Sequence, residues 1–362
     1  MIRSRSPYNY NTPWTSPASS KQCVSYTLKI YLFNGAKAGI SLTTPTKSWT
    51  IYNTGGLSDG YDTIDLSRII KDYVEPLTAV GTGVQLLDGN AQWWIRSEVV
   101  YVTDTTEAPQ FSTTQLFGRG YSNGNEGENI TTITDNILLD GREFNVSRDG
   151  VAIIPIYSPD NTAPTITVIS YPDNQINETP IPLGLGLTQN QSNQATQYLW
   201  IDTSLAYSDT YISVKVGSVD PIPEIILVIE DEFKYTPIDI AFFNKYGVLQ
   251  TLTFFKEFVK DLNLTKETYQ SDNGQASNGN HQFRSYNVQG REGFKVQSGW
   301  VEESMNETFK QFLLSEKQWE LNNGNYIPLN LETSQFNYKT QKIDKLIQYE
   351  IEFKYSFNAI DN

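Results

Sequence analysis

The chain has 362 residues and a formal net charge of −14, with 27 basic against 41 acidic side chains and no run of four basic residues, so no nucleic-acid partner is expected, since neutralising its phosphates needs a basic surface. A single cysteine, Cys23, excludes an intrachain disulfide and a cysteine-rich metal site, and a single histidine, His281, excludes a histidine-clustered zinc site. Charged residues (19%) and hydrophobic residues (38%) are both scarce, yet 13% aromatics supply enough burial to offset chain entropy, so a folded, strand-rich chain is expected.

No apolar window reaches the ~18 residues a bilayer-spanning helix needs, so no membrane insertion is expected. The opening MIRSRSPYNYNTPW has no apolar run behind its arginines, so neither a signal peptide nor an anchor is expected. The N-x-S/T triplets then read as chance matches, in a protein made and kept in a cytoplasm.

In chain order, CVSYTLKIYLF (23–33) alternates with a period of two and predicts a half-buried strand, in which Cys23 reads as a small buried hydrophobe. KSWTIYN (47–53) predicts a second strand. DTIDLSRIIKDYV (62–74) begins extended, and Ser67 is placed to cap a short helix carrying Ile69, Ile70, Tyr73 and Val74. AQWWIRSEVVYVTD (91–104) completes an N-terminal β domain over 1–105. Residues 106–136, rich in Thr, Gly and Asn, read as a polar loop or arm.

A middle β domain is expected over 137–222. It opens on ILLDGREFNVSRDGVAIIPIY (137–157), whose Asp-Gly pairs at 140–141 and 149–150 signal turns. TITVISY (165–171) follows, then a polar loop over 172–197 whose GLGL lacks phosphate-loop spacing. QYLWIDT, TYISVKVG and EIILVIED predict three more strands. The C-terminal domain, 223–362, has the hairpin IDIAFFNKYGVLQTLTFF (238–255), two strands around a glycine turn in 282–301, and final strands in YIPLNLE and KLIQYEIEFKYSF. Its helix is expected over 304–321, with Phe309, Phe312, Leu313 and Leu314 at helical spacing and Ser304 or Asn306 as cap. The fold class is therefore mainly β: two to three linked antiparallel sandwich-like domains, the last with one helix packed on a sheet. No internal repeat is visible, and helices are too few for a nucleotide-binding α/β fold.

Candidate chemistry is thin. His281 in SNGNHQF has no nucleophile motif beside it. Glu230 and Glu232 in EDE, or Glu302 and Glu303, offer the carboxylates a glycosidase needs, but that spacing is equally that of a solvated edge. Asp59, Asp62 and Asp65 miss the spacing of a helix–loop–helix calcium loop. No enzyme activity, cofactor or metal is expected. Trp93 and Trp94 point to opposite faces of a strand, so one is core and the other a sugar contact or an interface contact. The 238–255 hairpin is apolar on both faces, Ile238, Ile240 and Phe242 on one and Phe243, Leu249 and Phe255 among the others. Either the chain's own helix covers it or part of it meets a neighbouring subunit. Phe243, Tyr246, Leu249, Phe255, Trp93 and Trp94 are the candidate interface residues.

Several stretches resemble a family. PIDIAFFNKYGVLQTLTFFKEF, with Asn244, Lys245, Tyr246 and Gly247 at its turn, precedes Gly299, then Leu313, Leu314, Ser315 and Glu316 at a helix end. Tyr349, Glu350, Glu352, Phe353 and Tyr355 follow in the last strand. In this order they resemble virion tail structural proteins of phages infecting Bacteroidetes, crAss-like phages included, of distal-tail or tail-hub type. IRSRSPY and IDLSRIIKDYVEP extend the resemblance, which covers roughly 1–75 and 225–362 and leaves the middle of the chain apart. It implies a homo-oligomeric ring or hub in the tail of a virion, assembled in the host cytoplasm. Fibres or portal-proximal ring proteins would be its neighbours. The alternatives are a tail-tip receptor-binding protein recognising host surface glycan and a tail-associated glycan hydrolase.

Overall fold

In the computed structural model, the period-two alternation of SYTLKIYLF becomes strand Ser25–Phe33, which buries Tyr26, Leu28 and Ile30. The structure describes residues 2–3, 5–6, 8–13, 25–33, 43–52, 61–74, 78–88, 92–102, 107–122, 136–157, 164–172, 180–188, 196–206, 211–217, 222–231, 234–256, 258–271, 281–322, 324–333, 335 and 346–359. Cys23, Asp59 and Glu232 lie outside them, as do the side chains of Asp62 and Trp93.

Ser25–Phe33 belongs to a five-stranded sheet ordered Ile2–Arg3, Glu107–Gly118, Gln92–Val102, Ser25–Phe33, Lys47–Tyr52. Its buried face packs Tyr26, Leu28, Ile30, Ile95 and Val99 against the short helix Leu66–Ile70. The cap of that helix is Asp65, not Ser67. Asp65 Oδ1 accepts from the Ser67 amide at 3.1 Å and from its hydroxyl at 2.5 Å, so Ser67 is the capped residue.

The expected polar arm over 106–136 contains strand Glu107–Gly118, paired along the length of Gln92–Val102. Its polar side chains hid it. Thr113 bonds Ser97 at 2.7 Å across the ladder, and Pro109, which cannot donate, sits beside the register shift at Val99–Val100. Likewise the expected loop 172–197 contains strand Ile181–Thr188.

The middle of the chain forms two sheets. One is ordered Val151–Tyr157, Thr196–Asp202, Val84–Asp88; the other Ile181–Thr188, Thr165–Tyr171, Tyr211–Val216, Glu224–Glu230, Glu143–Ser147. Two expected boundaries therefore shift. Val84–Asp88, assigned to the N-terminal domain, pairs with Thr196–Asp202, and Glu224–Glu230, assigned to the C-terminal domain, belongs to the middle. Glu224–Glu230 also pairs in parallel with Glu143–Ser147, an exception to the antiparallel rule shared by Ile2–Arg3 with Glu107–Gly118.

The C-terminal sheet has seven strands: Leu249–Phe254, Ile238–Phe243, Gln318–Asn322, Asn325–Leu331, Glu350–Tyr355, Phe283–Gln297 and Val259–Gln270. Helix Asn306–Leu313 lies on it through Phe309 and Phe312, both fully buried; Phe312 meets Phe242 edge-on at 5.0 Å and Phe353 at 5.8 Å. This helix is shorter than the expected 304–321. Gln318 Nε2 donates to the carbonyls of Phe312 and Ser315, satisfying the helix end and turning the chain into strand Gln318–Asn322. The 282–301 segment is likewise not two strands around a glycine turn but one, Phe283–Gln297. A single apolar core runs from Ile137 to Tyr355, so the middle and C-terminal sheets are packed together rather than merely linked.

Candidate functional site

Sequence stretches that are far apart meet at the NKYG turn. Gly247 takes a left-handed backbone (φ 75°), and a β-carbon there would lie 2.4 Å from the Arg119 carbonyl carbon. Gly120 reciprocates, its hypothetical β-carbon 2.3 Å from the Lys245 oxygen, and the Tyr121 amide donates to that oxygen at 2.8 Å. Asn244 donates to the Leu138 carbonyl at 2.8 Å, and Lys245 pairs with Asp140 at 2.5 Å. The guanidinium of Arg3 stacks over Tyr246 (5.1 Å) and that of Arg5 over Tyr121 (5.0 Å). Glu316 receives Arg5 at 3.1 Å, Arg119 at 2.9 Å and Lys71 at 3.6 Å. Burial raises its pKa, but Arg5, Arg119 and Lys71 outweigh that and hold the carboxyl below its ordinary value. Arg3 and Arg5, the NKYG turn and Glu316 of LLSE thus form one interlocked junction.

Most of the candidate interface residues are buried in the chain's own core. Phe243, Leu249 and Trp94 are buried in one cluster with Trp200 and Val248, and Phe255 is buried as well. Tyr246 is half-buried, its hydroxyl donating to Asp140 at 3.0 Å. The hairpin is therefore a core hairpin, and Trp94 is a core residue. Phe243, Leu249, Phe255 and Trp94 present no surface to a neighbour because the chain's own sheets and helix cover them.

The carboxylate candidates separate into different clefts. Glu230, accepting from Asn145 Nδ2 at 2.5 Å, lines an open cleft of about 670 Å³ with Asp149, Asp231 and Glu320. Asp239 lies in its wall, with both oxygens engaged: Thr253 Oγ1 donates at 2.6 Å and the Val151 amide at 3.0 Å. Burial pushes its pKa up to about 6 against those two hydrogen bonds. Glu302 lines a separate groove. Among the described residues no group of three or more His, Cys, Asp or Glu is placed to hold a metal. His281 is exposed before strand Phe283–Gln297, and Asp65 is the helix cap described above.

The most exposed structure went unread in the sequence. Strands Val259–Gln270 and Phe283–Gln297 form a ribbon at the sheet edge, and only Gly293–Gln297 are also paired to Glu350–Tyr355. Arg291 tethers its foot, donating to the Tyr355 carbonyl at 2.8 Å, as does the Ala359 amide, which donates to the Gly290 carbonyl at 2.7 Å. Beyond them, Thr265–Gln270 and Phe283–Gln289 project by roughly 20 Å at the usual strand rise. An extra residue on the second strand, with Asn287 left-handed (φ 50°), makes a bulge that adds twist. Alternation and register put Leu262, Leu264 and Phe283 on one face, exposed by 53%, 61% and 64%, together with Lys260 and Lys266. Tyr269 and Tyr286, rings 5.6 Å apart, share the other face. The period-two VKDLNLT was the one signal available for this arm.

At the arm's foot Gln297 leads through Ser298 and left-handed Gly299 (φ 73°) to Trp300, which is 58% exposed. Trp300 borders a groove of about 220 Å³ floored by Phe255, Met305 and Phe309 and edged by Glu143 and Glu302. No protein-family model matches the chain, and no curated protein matches it.

Proposed function

We propose that this chain is a virion structural protein of a phage tail, a hub, ring or fibre-attachment component that works by self-assembly and by docking neighbouring tail proteins. The observation that carries the reading is the arm: a two-stranded ribbon with exposed Leu262, Leu264 and Phe283 and an outer strand, Val259–Gln270, at the end of its sheet. Isolated ribbons are marginal in water, and long edge strands invite pairing with another chain, so such an element is matched to a partner that covers it. The ordered resemblance of the chain's two ends to tail proteins supports the same reading, and so does the tether of Arg291 to the Tyr355 carbonyl, which fixes the foot of the arm to its sheet.

A tail-tip receptor protein binding host surface glycan is the second reading, favoured by exposed Trp300 beside Glu143 and Glu302, since an aromatic face beside carboxylates suits a sugar ring. Glycan cleavage has less support, because Glu230 and Glu302 line different clefts. Cryo-EM of the particle that carries the protein separates these readings. A symmetric ring or hub position in the tail fits assembly, a protruding tip position fits the receptor, and absence from particles contradicts both.

A further inference from the structure

We infer that the Trp300 groove binds one pyranose ring of an uncharged glycan, stacked on the indole and donating its hydroxyls to the carboxylates of Glu143 and Glu302. The inference rests on the receptor reading above and adds the site and the ligand class. It does not depend on what covers the arm. Three observations lead to it.

The first is a fixed aromatic platform. Among the described residues Trp300 is the one exposed tryptophan. The backbone on both sides of it is held: the Ser298 amide donates to the Tyr349 carbonyl at 2.9 Å, the Tyr349 amide donates back to Ser298 Oγ at 2.9 Å, and Val301–Glu302 pair with Leu346–Ile347. An indole face is electron-rich, so it attracts the C–H face of a sugar ring, and a face held in place loses little entropy on binding. The other aromatics of the groove, Phe255 and Phe309, are closed off at 2% and 0% exposure. One open face suits a ring stacked on one side, whereas an organic cation is held by a cage of several.

The second is the sense of the hydrogen bonds. The hydroxyl protons of Thr253, Ser298 and Ser304 go to Asp239, the Gly299 carbonyl and Glu302, and Asn145 Nδ2 donates to Glu230. What the groove has left to offer is acceptors, above all Glu143 and Glu302, neither of which is in a salt bridge among the described residues. Among its described lining residues none is basic. A ligand rich in hydroxyl donors fits that set through charge-assisted bonds, and an acidic sugar is repelled by it. Size is the third. At about 220 Å³ the groove is smaller than the ~300–1,000 Å³ of pockets that enclose drug-sized ligands, so it takes one ring of a chain that continues into solvent.

Saturation-transfer NMR on the full-length protein tests this with methyl glycosides of glucose, galactose, mannose and N-acetylglucosamine, beside glucuronic acid and choline. At least one glycoside should give a signal, strongest at its ring C–H protons, and glucuronic acid should give none. Trp300→Ala should weaken that glycoside at least about 10-fold, Trp300→Phe should retain it, and Glu302→Gln should weaken it by about 10-fold. Trp300 and Glu302 are both exposed, and unchanged melting temperatures establish that the variants fold. A glycoside that binds Trp300→Ala as well as it binds the parent would overturn the groove assignment and leave the receptor reading standing. Equal binding of glucuronic acid would overturn the uncharged class. No signal from any glycoside would overturn both the site and the receptor reading, and Trp300-dependent binding of choline alone would overturn the sugar and reassign the groove to an organic cation.

Discussion

Glu316, partly open to solvent, and Asp239, buried, are two carboxylates with opposite pH behaviour. Glu316 is held charged by Arg5, Arg119 and Lys71, so its folded pKa is depressed. The stability it contributes is present above its ordinary carboxylate pKa and is lost as pH falls through the folded value. Glu316→Ala should cost about 1 kcal/mol at neutral pH, because the junction is partly solvated, and little in acid. Asp239 is the reverse: its folded pKa, about 6, lies above the ordinary 3.8, so the folded chain holds the proton more tightly than the unfolded one. Stability should fall as pH rises from about 4 to about 6 and then level off. In Asp239→Asn, the amide oxygen can still accept from Val151 and its NH2 can donate to the Thr253 hydroxyl, so that pH dependence should vanish with the fold intact. Urea midpoints measured between pH 4 and 8 for the parent and both variants check both signs. Both lie in stretches the sequence singled out, Glu316 in LLSE and Asp239 in IDIAFF, but the burial of a lone Asp leaves no pattern of its own, so the role of Asp239 was not legible.

Phe312 belongs to the elements the sequence marked correctly. It is fully buried between Phe242 and Phe353, and Phe312→Ala should destabilise the chain by about 3–5 kcal/mol in equilibrium unfolding. Gly247→Ala should also destabilise, by at least about 1 kcal/mol, since it combines a left-handed backbone with a clash against the Arg119 backbone that no rotamer relieves. These elements were legible where burial imposes periodicity: Ser25–Phe33, the hairpin around NKYG, and the Phe309–Phe312 stripe. The helix end was not, because QWEL continues an apolar spacing that Gln318 breaks with its side chain, a choice of hydrogen bonds rather than of hydrophobicity. Glu107–Gly118 was lost among its Thr and Gln residues. Val259–Gln270 was lost for a different reason. A strand exposed on both faces carries no in/out alternation beyond VKDLNLT, and long-range pairing alone defines the rest.

At the level of the whole molecule, the interlocked junction and the shared middle and C-terminal core make a stiff body, and no other described residues cover the outer part of the arm that projects from it. The residues that looked sticky in the sequence, Phe243, Leu249 and Phe255, are buried inside that body, whereas Leu262, Leu264 and Phe283 of the arm are exposed. The deciding measurement is the solution mass of the purified full-length chain beside a variant in which residues 266–288 are replaced by an Asn-Gly turn joining Thr265 to Gln289, which face each other in the ladder. Assembly through the arm requires an oligomer for the full chain and a folded monomer, with unchanged melting temperature, for the shortened one. An oligomer of undiminished mass after the arm is removed would contradict it, as would a full-length chain that remains monomeric at every concentration tested.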